Sequence, residues 1–413
     1  MFRSSFHIYF AHWVSHVHLM VVPALLPFLP EFFGVGFLEL GAGMSILMFV
    51  TLCLQIPMGF AVDRFGAKRL LGVGMLLSAF ALLSLAIFPS YPWFIAVMAI
   101  LGVVNTVYHP ADYSLLAENV DSSRLGRAFS FHTFAGYLGT AMTPFMMFAT
   151  VSLLGVSAAF ILVALLPVLA VYTLDPVHRL ARTGDYRLFS APPPRATQPL
   201  SAEDMELPNL RKSRTNLALK LLSLTLFFAC LFASTAPIQD FGNATLMSGY
   251  QFDEGSATLL ITLFLFVMAL GVLLGGWLAD KTQHHGLITA YSVVVTTILM
   301  AIATFLTFPQ WLMYPLLISV GLLLGLVAPS RDMMVKKVAP AGMEGRFFAI
   351  VSTGYSIGGA LSPLYLAWLL DHDLPRWVFG AAVITMLLVV LLSFAQERSS
   401  RTVAVHPVAA SSN

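Results

Sequence analysis

The sequence is short of charge. Asp, Glu, Lys and Arg make up 10% of its 413 residues, against roughly a quarter in soluble globular domains. So few charges cannot cover the surface of a soluble chain of this length, which excludes a cytosolic enzyme. Cysteine is nearly absent as well. Cys53 and Cys230 both lie in apolar runs, so neither a disulfide framework nor a cysteine-based zinc site is available. A net charge of +2 leaves no basic excess for binding nucleic acid. No G-x-x-x-x-G-K-[ST] loop occurs, so ATP is not the energy source within this chain. Neither H-E-x-x-H nor a nucleophile-elbow serine occurs in a plausible setting. No enzymatic activity and no cofactor are expected.

What is present is apolar: 58% of the residues are hydrophobic and mean hydropathy is +0.84. A hydrocarbon core about 30 Å thick is crossed by about 20 helical residues. Twelve stretches meet that need, over 7–29, 40–62, 70–88, 93–117, 128–150 and 155–174, then 217–238, 256–279, 287–307, 311–335, 346–369 and 376–395. The first begins MFRSSFHIYFAHW and carries His7, His12, His16 and His18. It lacks the uniform core and cleavage site of a removable leader, so it counts as a span.

The one long polar stretch, 175–216, holds Pro192, Pro193, Pro194 and seven basic residues. It has too few apolar side chains to offset the entropy of ordering and reads as a linker. The expected organisation is a six-helix bundle over 1–174, a cytoplasmic linker over 175–216, a second bundle over 217–398 and a disordered tail over 399–413. With the N-terminus inside, 20 of the 22 Lys and Arg residues fall on the cytoplasmic side, as retention of positive charge requires. Both termini are then expected to be cytoplasmic, and the expected setting is a bacterial inner membrane.

The halves repeat. A shift of 219 residues places Gly102 on Gly321, Pro110 on Pro329, Gly126 on Gly345, Arg127 on Arg346, Gly139 on Gly358 and Pro144 on Pro363 without a gap. Six spans per half give both copies the same orientation. The expected fold is an all-α integral membrane protein, twelve transmembrane helices in two parallel, pseudo-symmetric six-helix bundles with a substrate site between them near the midplane.

The loop GFAVDRFGAKR (59–69) resembles the signature loop of the major facilitator superfamily, and the twelve-span likeness covers essentially the whole chain. SHVHL (15–19), NTVYHPADYSLLAE (105–118) and GYLGTAMTP (136–144) are similar to the fosmidomycin-resistance group of drug efflux carriers. The acid that group carries directly after its His-Pro pair is here Ala111, with Asp112 one place on. The resemblance implies a conformational gate. Asp63 would face the start of span 11 at Gly345 and Arg346 with Arg64 and Glu118 nearby, and Asp280 would face Gly126 and Arg127. Exposed amides at a helix N-terminus favour a carboxylate.

Ionisable residues inside spans are costly and mark functional sites. They are His7, His12, His16 and His18 in span 1, His109 and Asp112 in span 4, His132 in span 5, Asp240 just past span 7, and Arg331 with Asp332 in span 10. His12 and His16 share a helical face, as do His109 and Asp112. Asp112 and Arg331 are equivalent under the repeat, which predicts a salt bridge between them when the cytoplasmic side closes. Pairing of Arg331 with Asp332 is the competing account. His132 and Tyr137 either contact substrate or fill the core. No metal site is expected, since no third ligand can be named to join the helix 1 histidines.

The expected function is proton-coupled export of a small organic compound or drug by alternating access. Its partners are the substrate, protons and membrane lipids, with no nucleic acid, and the protein is a monomer. Proton-coupled import of an organic anion or iron chelate, and a transport-dead sensor or scaffold, are the alternatives.

Overall fold

The computed structural model describes residues 2–120, 125–174, 210–339 and 344–404, with side chains over 5–120, 127–174, 217–339 and 347–398. Of the proposed linker, 175–209 lie outside the described residues, whereas 210–216 are helical; of the tail expected to be disordered, 399–404 are helical and 405–413 lie outside the described residues. Among the described residues, twelve helices are long and apolar enough to cross a membrane: α1 (Phe2–Leu25), α2 (Phe37–Phe65), α3 (Ala67–Ile87), α4 (Tyr91–Asn119), α5 (Leu125–Leu154), α6 (Val156–Thr173), α7 (Leu210–Gln239), α8 (Glu254–Asp280), α9 (His285–Phe305), α10 (Met313–Val338), α11 (Glu344–Asp371) and α12 (Pro375–Ala404). Each corresponds to one of the twelve expected spans. The near face of the molecule is the side where α1 begins and α2 ends, and the far face is the opposite side.

Proline and glycine set where the long helices stop. Pro23 lies in the last turn of α1 and Pro237 in that of α7. Each removes a backbone donor and ends the regular ladder. Both helices then continue into a short one, Leu29–Phe33 and Gly242–Tyr250. Gly34 closes the first of these at a left-handed φ of 67°, a conformation open to a residue without Cβ. On the far side, Asp253 caps α8 by accepting from the Ser256 amide, and its bonds from Ser256 hold its carboxyl below the usual range.

The repeat read from the sequence is visible in the packing. In the first half α1 pairs with α5, α2 with α4, and α3 with α4 and α6; in the second, α7 pairs with α11, α8 with α10, and α9 with α10 and α12. Equivalent glycines do equivalent work. A Cβ on Gly102 would meet the Leu47 carbonyl oxygen at 2.6 Å, and one on Gly321 would meet that of Phe264 at 2.5 Å. Small residues of this kind let helix backbones approach in a membrane, where dispersion rather than water exclusion drives association.

The bundles meet through two more pairs, α2 with α11 and α5 with α8, and the contacts concentrate toward the far face. Gly41 abuts the Pro363 carbonyl oxygen and Ala367, and Gly359 abuts Met48. One buried cluster joins Leu26, Leu40, Phe94 and Phe160 to Ala236, Phe241, Leu366 and Leu370, whereas the near-half cluster around Val62, Leu71, Val107 and Leu116 is built from the first bundle alone. The far end is also tied by charge. The Asp371 carboxylate at the end of α11 accepts from the backbone amides of Phe37 (2.9 Å) and Leu38 (2.7 Å) at the start of α2.

A capping carboxylate is worth about 1 kcal/mol, or roughly a fivefold change in population. Asp371→Ala is therefore expected to favour opening at the far face. In a chain carrying Met48→Cys, with Cys53 and Cys230 replaced, labelling by a thiol reagent added from that side should rise about fivefold.

Candidate functional site

Helical spacing prepares the site. On α1, His12 and His16 lie four residues apart; on α5, His132, Gly136 and Thr140 lie one turn above another; on α4, His109 and Asp112 are three apart. All three sets share a face. Packing of α1 on α4 and α5 brings these faces together in the near half of the first bundle.

Asp112 is wholly buried and is the hub. Its Oδ2 lies 3.1 Å from His12 Nδ1 and 3.1 Å from His132 Nε2. The two rings stack at a centroid separation of 3.5 Å. Asp112 Oδ1 has no hydrogen-bond partner among the described residues. A buried carboxylate with an unmet oxygen is expensive in hydrocarbon, so the arrangement is not a packing convenience. His109 is exposed, with its ring 5.3 Å from that of His12 and 5.8 Å from that of Tyr113. It stands over the hub on the side open to the cavity.

His16 Nδ1 lies 3.0 Å from Thr140 Oγ1, whose hydroxyl also donates to the Gly136 carbonyl. With its hydrogen engaged, the hydroxyl accepts from His16 Nδ1, which leaves His16 Nε2 as an acceptor. Room for the two α1 rings comes from Gly136, where a Cβ would stand 2.6 Å from His16 Nε2 and 2.7 Å from His12 Nε2. His18 stands apart, with Nε2 toward the Val163 carbonyl and Nδ1 toward the Tyr108 hydroxyl.

The opposing bundle contributes a cation. Arg331 donates from Nε to Asp332 Oδ1 at 2.8 Å and from Nη1 to the Tyr355 hydroxyl, and its guanidinium lies 5.1 Å from the Phe228 and Tyr355 ring centroids. The Asp332 side chain is 44% exposed and Tyr113 45% exposed, so the space between the bundles is open on the near half. In this conformation Arg331 pairs with Asp332 and Asp112 with the histidines. The Asp112–Arg331 bridge was expected only for the opposite state.

Asp240 lies at the far end of α7, buried and accepting from Gln239, away from the hub. Tyr137 packs against the core of the second bundle. Of the expected gate residues, Asp63, Arg64, Glu118, Arg127 and Asp280 are exposed. Arg64 lies over Phe65, Glu118 accepts from Ser114, and no ion pair joins Asp280 to Arg127 among the described residues. The Arg346 side chain lies outside them. The residues that the sequence did not single out are Gly136, Thr140, Phe228, Tyr355 and Asp371. Gly136 and Tyr355 were findable: they are equivalent under the 219 shift, one emptying the space that the other fills.

The hub also meets the donor requirements of a metal site. One ligand atom each from His12, Asp112 and His132 lie within 4.8 Å of one another, so the third ligand that the sequence alone could not name comes from bringing α4 and α5 against α1.

The family model described as Major Facilitator Superfamily matches residues 8–290 and 224–410. The chain belongs to this superfamily. The fosmidomycin resistance protein of Escherichia coli (strain K12) is 24% identical to this superfamily member over 404 residues, covering 95% of this chain and 93% of that one. Among solved structures, a bacterial homolog to the human lysosomal transporter Spinster, in an inward-facing and occupied conformation, superposes with a TM-score of 0.72 at 13% identity over 96% of both chains. A mutant of the peptide transporter POT in complex with sulfate gives 0.73 at 14% identity over 97% of this chain and 94% of that one. These neighbours share the fold. The facilitator chain is a multi-pass membrane protein and a non-enzymatic transporter.

Proposed function

We propose that this protein is a secondary active exporter of a small organic compound, exchanging it for protons across a bacterial inner membrane. It works as a monomer with both termini and the near face in the cytoplasm. The observation that carries this reading is the exposure of His109, Tyr113 and Asp332 between the bundles on the near half, with the buried Asp112 hub behind the first-bundle face and Arg331 with Tyr355 on the second. Substrate enters there from the cytoplasm. The far side, held by Asp371 and by α2 on α11, opens after the near side closes. Likeness to a resistance protein supports export. With no phosphate-binding loop in the sequence, an ion gradient supplies the energy, and a proton gradient is the one such a membrane maintains.

The test is transport in inverted membrane vesicles. A compound to which an overexpressing strain gains tolerance should accumulate when the interior is made acidic, and collapse of the pH gradient by an ionophore should stop it. Sensitisation rather than tolerance on overexpression would reverse the direction. Accumulation indifferent to the pH gradient would remove proton coupling.

A further inference from the structure

Among the described residues, histidine is concentrated at one place in the membrane-spanning part of the chain. His12, His16, His109 and His132 come from three helices and surround one carboxylate, Asp112. From this geometry we infer that His12, Asp112 and His132 form a binding site for a divalent transition-metal ion, of the zinc, cobalt or nickel kind. This goes beyond the exporter reading and does not depend on it.

Spacing is the first argument. Bonds of 2.0–2.1 Å to a tetrahedral zinc set neighbouring ligand atoms about 3.3 Å apart. His12 Nδ1 and His132 Nε2 each stand 3.1 Å from Asp112 Oδ2, and the three atoms lie within 4.8 Å of one another. The two rings stack at 3.5 Å with 22° between their planes, so the ion enters as one ring turns on its side-chain bonds to bring its in-plane nitrogen lone pair onto it.

The second argument is chemistry. Two imidazoles and a carboxylate with no thiolate suit zinc, nickel and cobalt better than the soft ions that cysteine and methionine select. Three protein ligands leave a fourth position open.

The third is the orphaned oxygen. Asp112 Oδ1 is buried and unbonded, and bidentate ligation or a metal-bound water would satisfy it. There is also an approach route. Exposed His109 and Tyr113 lie between the hub and the cavity, with Tyr113 5.3 Å from His132 by ring centroids. Outer partners orient such ligands. Here the Gly136 space seats the His12 ring, and Thr140 holds its neighbour His16.

The experiment is metal binding by the purified full-length chain, carried on an affinity tag without histidine and reconstituted in lipid nanodiscs. Titration with zinc chloride alone should give one equivalent per chain. Cobalt chloride should give the intense visible absorption of a tetrahedral site. His132→Gln and Asp112→Asn should each weaken zinc binding by at least about 10-fold, a loss that even outer-partner changes produce. His284→Gln, on the pair with Glu397 remote from the cavity, should leave it unchanged. Absence of stoichiometric zinc binding, or binding equally tight in both hub variants, overturns the site. Should the variants fail to fold, the cobalt spectrum of the unaltered chain decides alone: weak octahedral absorption would count against the proposal and intense bands for it. None of these measurements requires transport, so failure here leaves the exporter reading intact, and a failed vesicle assay leaves the site intact.

Discussion

Asp112→Asn should abolish most transport while leaving membrane insertion and folding near normal. The substitution keeps shape, volume and an acceptor oxygen where Oδ2 stands, so His12 and His132 can still donate to it. What it removes is the negative charge. A purely structural hub, holding α1, α4 and α5 together by hydrogen bonds, would survive that exchange with little change in rate. A hub that must hold a cation, whether a proton carried on an imidazole or a metal ion, would not. A hydrogen bond to a charged group is worth about 1.5–3 kcal/mol against about 1 for a neutral pair, and here two bonds lose their charged acceptor. If about 2–3 kcal/mol of that is lost at the rate-limiting step, transport falls roughly 30- to 150-fold. Initial rates in vesicles, normalised to protein amount, measure it. A rate within twofold of the parent chain would assign Asp112 to scaffolding. Asp112→Ala serves as the contrast: it strips both imidazoles of their acceptor and should lower thermal stability as well.

The fold was legible because the membrane enforces a simple rule: every buried backbone group must be bonded within its own helix. Runs of about 20 apolar residues therefore announce themselves, and the 219-residue repeat arranges them in pairs. Individual residues also stood out where hydrocarbon makes them costly, which is why His12, His109, Asp112, His132 and Arg331 could be named without coordinates. Apart from Asp332, which adjacency already offered to Arg331, their partners could not be. Nothing in the spacing of His12 says that it meets Asp112, 100 positions away, because that depends on how α1 rotates against α4. The same limit hid Tyr355, a common aromatic in an aromatic-rich chain until its hydroxyl meets Arg331. It hid Asp371 too, which looks like an ordinary charged helix end but reaches across to the amides of Phe37 and Leu38. Long-range pairing is settled by helix rotation and crossing, and a single sequence carries little of either.

Gly136 is the glycine where an added carbon would press directly on the site's own imidazoles. Exchanging glycine for alanine inside a helix ordinarily stabilises it by about 1 kcal/mol. Overpacking a filled site costs about 1–3 kcal/mol, so the sign depends on whether the neighbours can give way. Here they cannot do so freely. The added Cβ would lie 2.6 Å from His16 Nε2, 2.7 Å from His12 Nε2 and 2.8 Å from His16 Cδ2. His12 is held by Asp112 and His16 by Thr140. Moving either ring breaks a buried hydrogen bond, worth about 1 kcal/mol net. Gly136→Ala is therefore expected to cut transport by about 10-fold or more and to lower the melting temperature in detergent. Gly59→Ala on α2, where nothing stands within 4 Å, should be neutral or slightly stabilising. The double change Gly136→Ala with His16→Ala removes the tighter clash and should recover stability without restoring the full rate. A Gly136→Ala chain that transports and melts like the parent would mean that the two imidazoles are free to turn away, and that their position beside Asp112 is not what the carrier depends on.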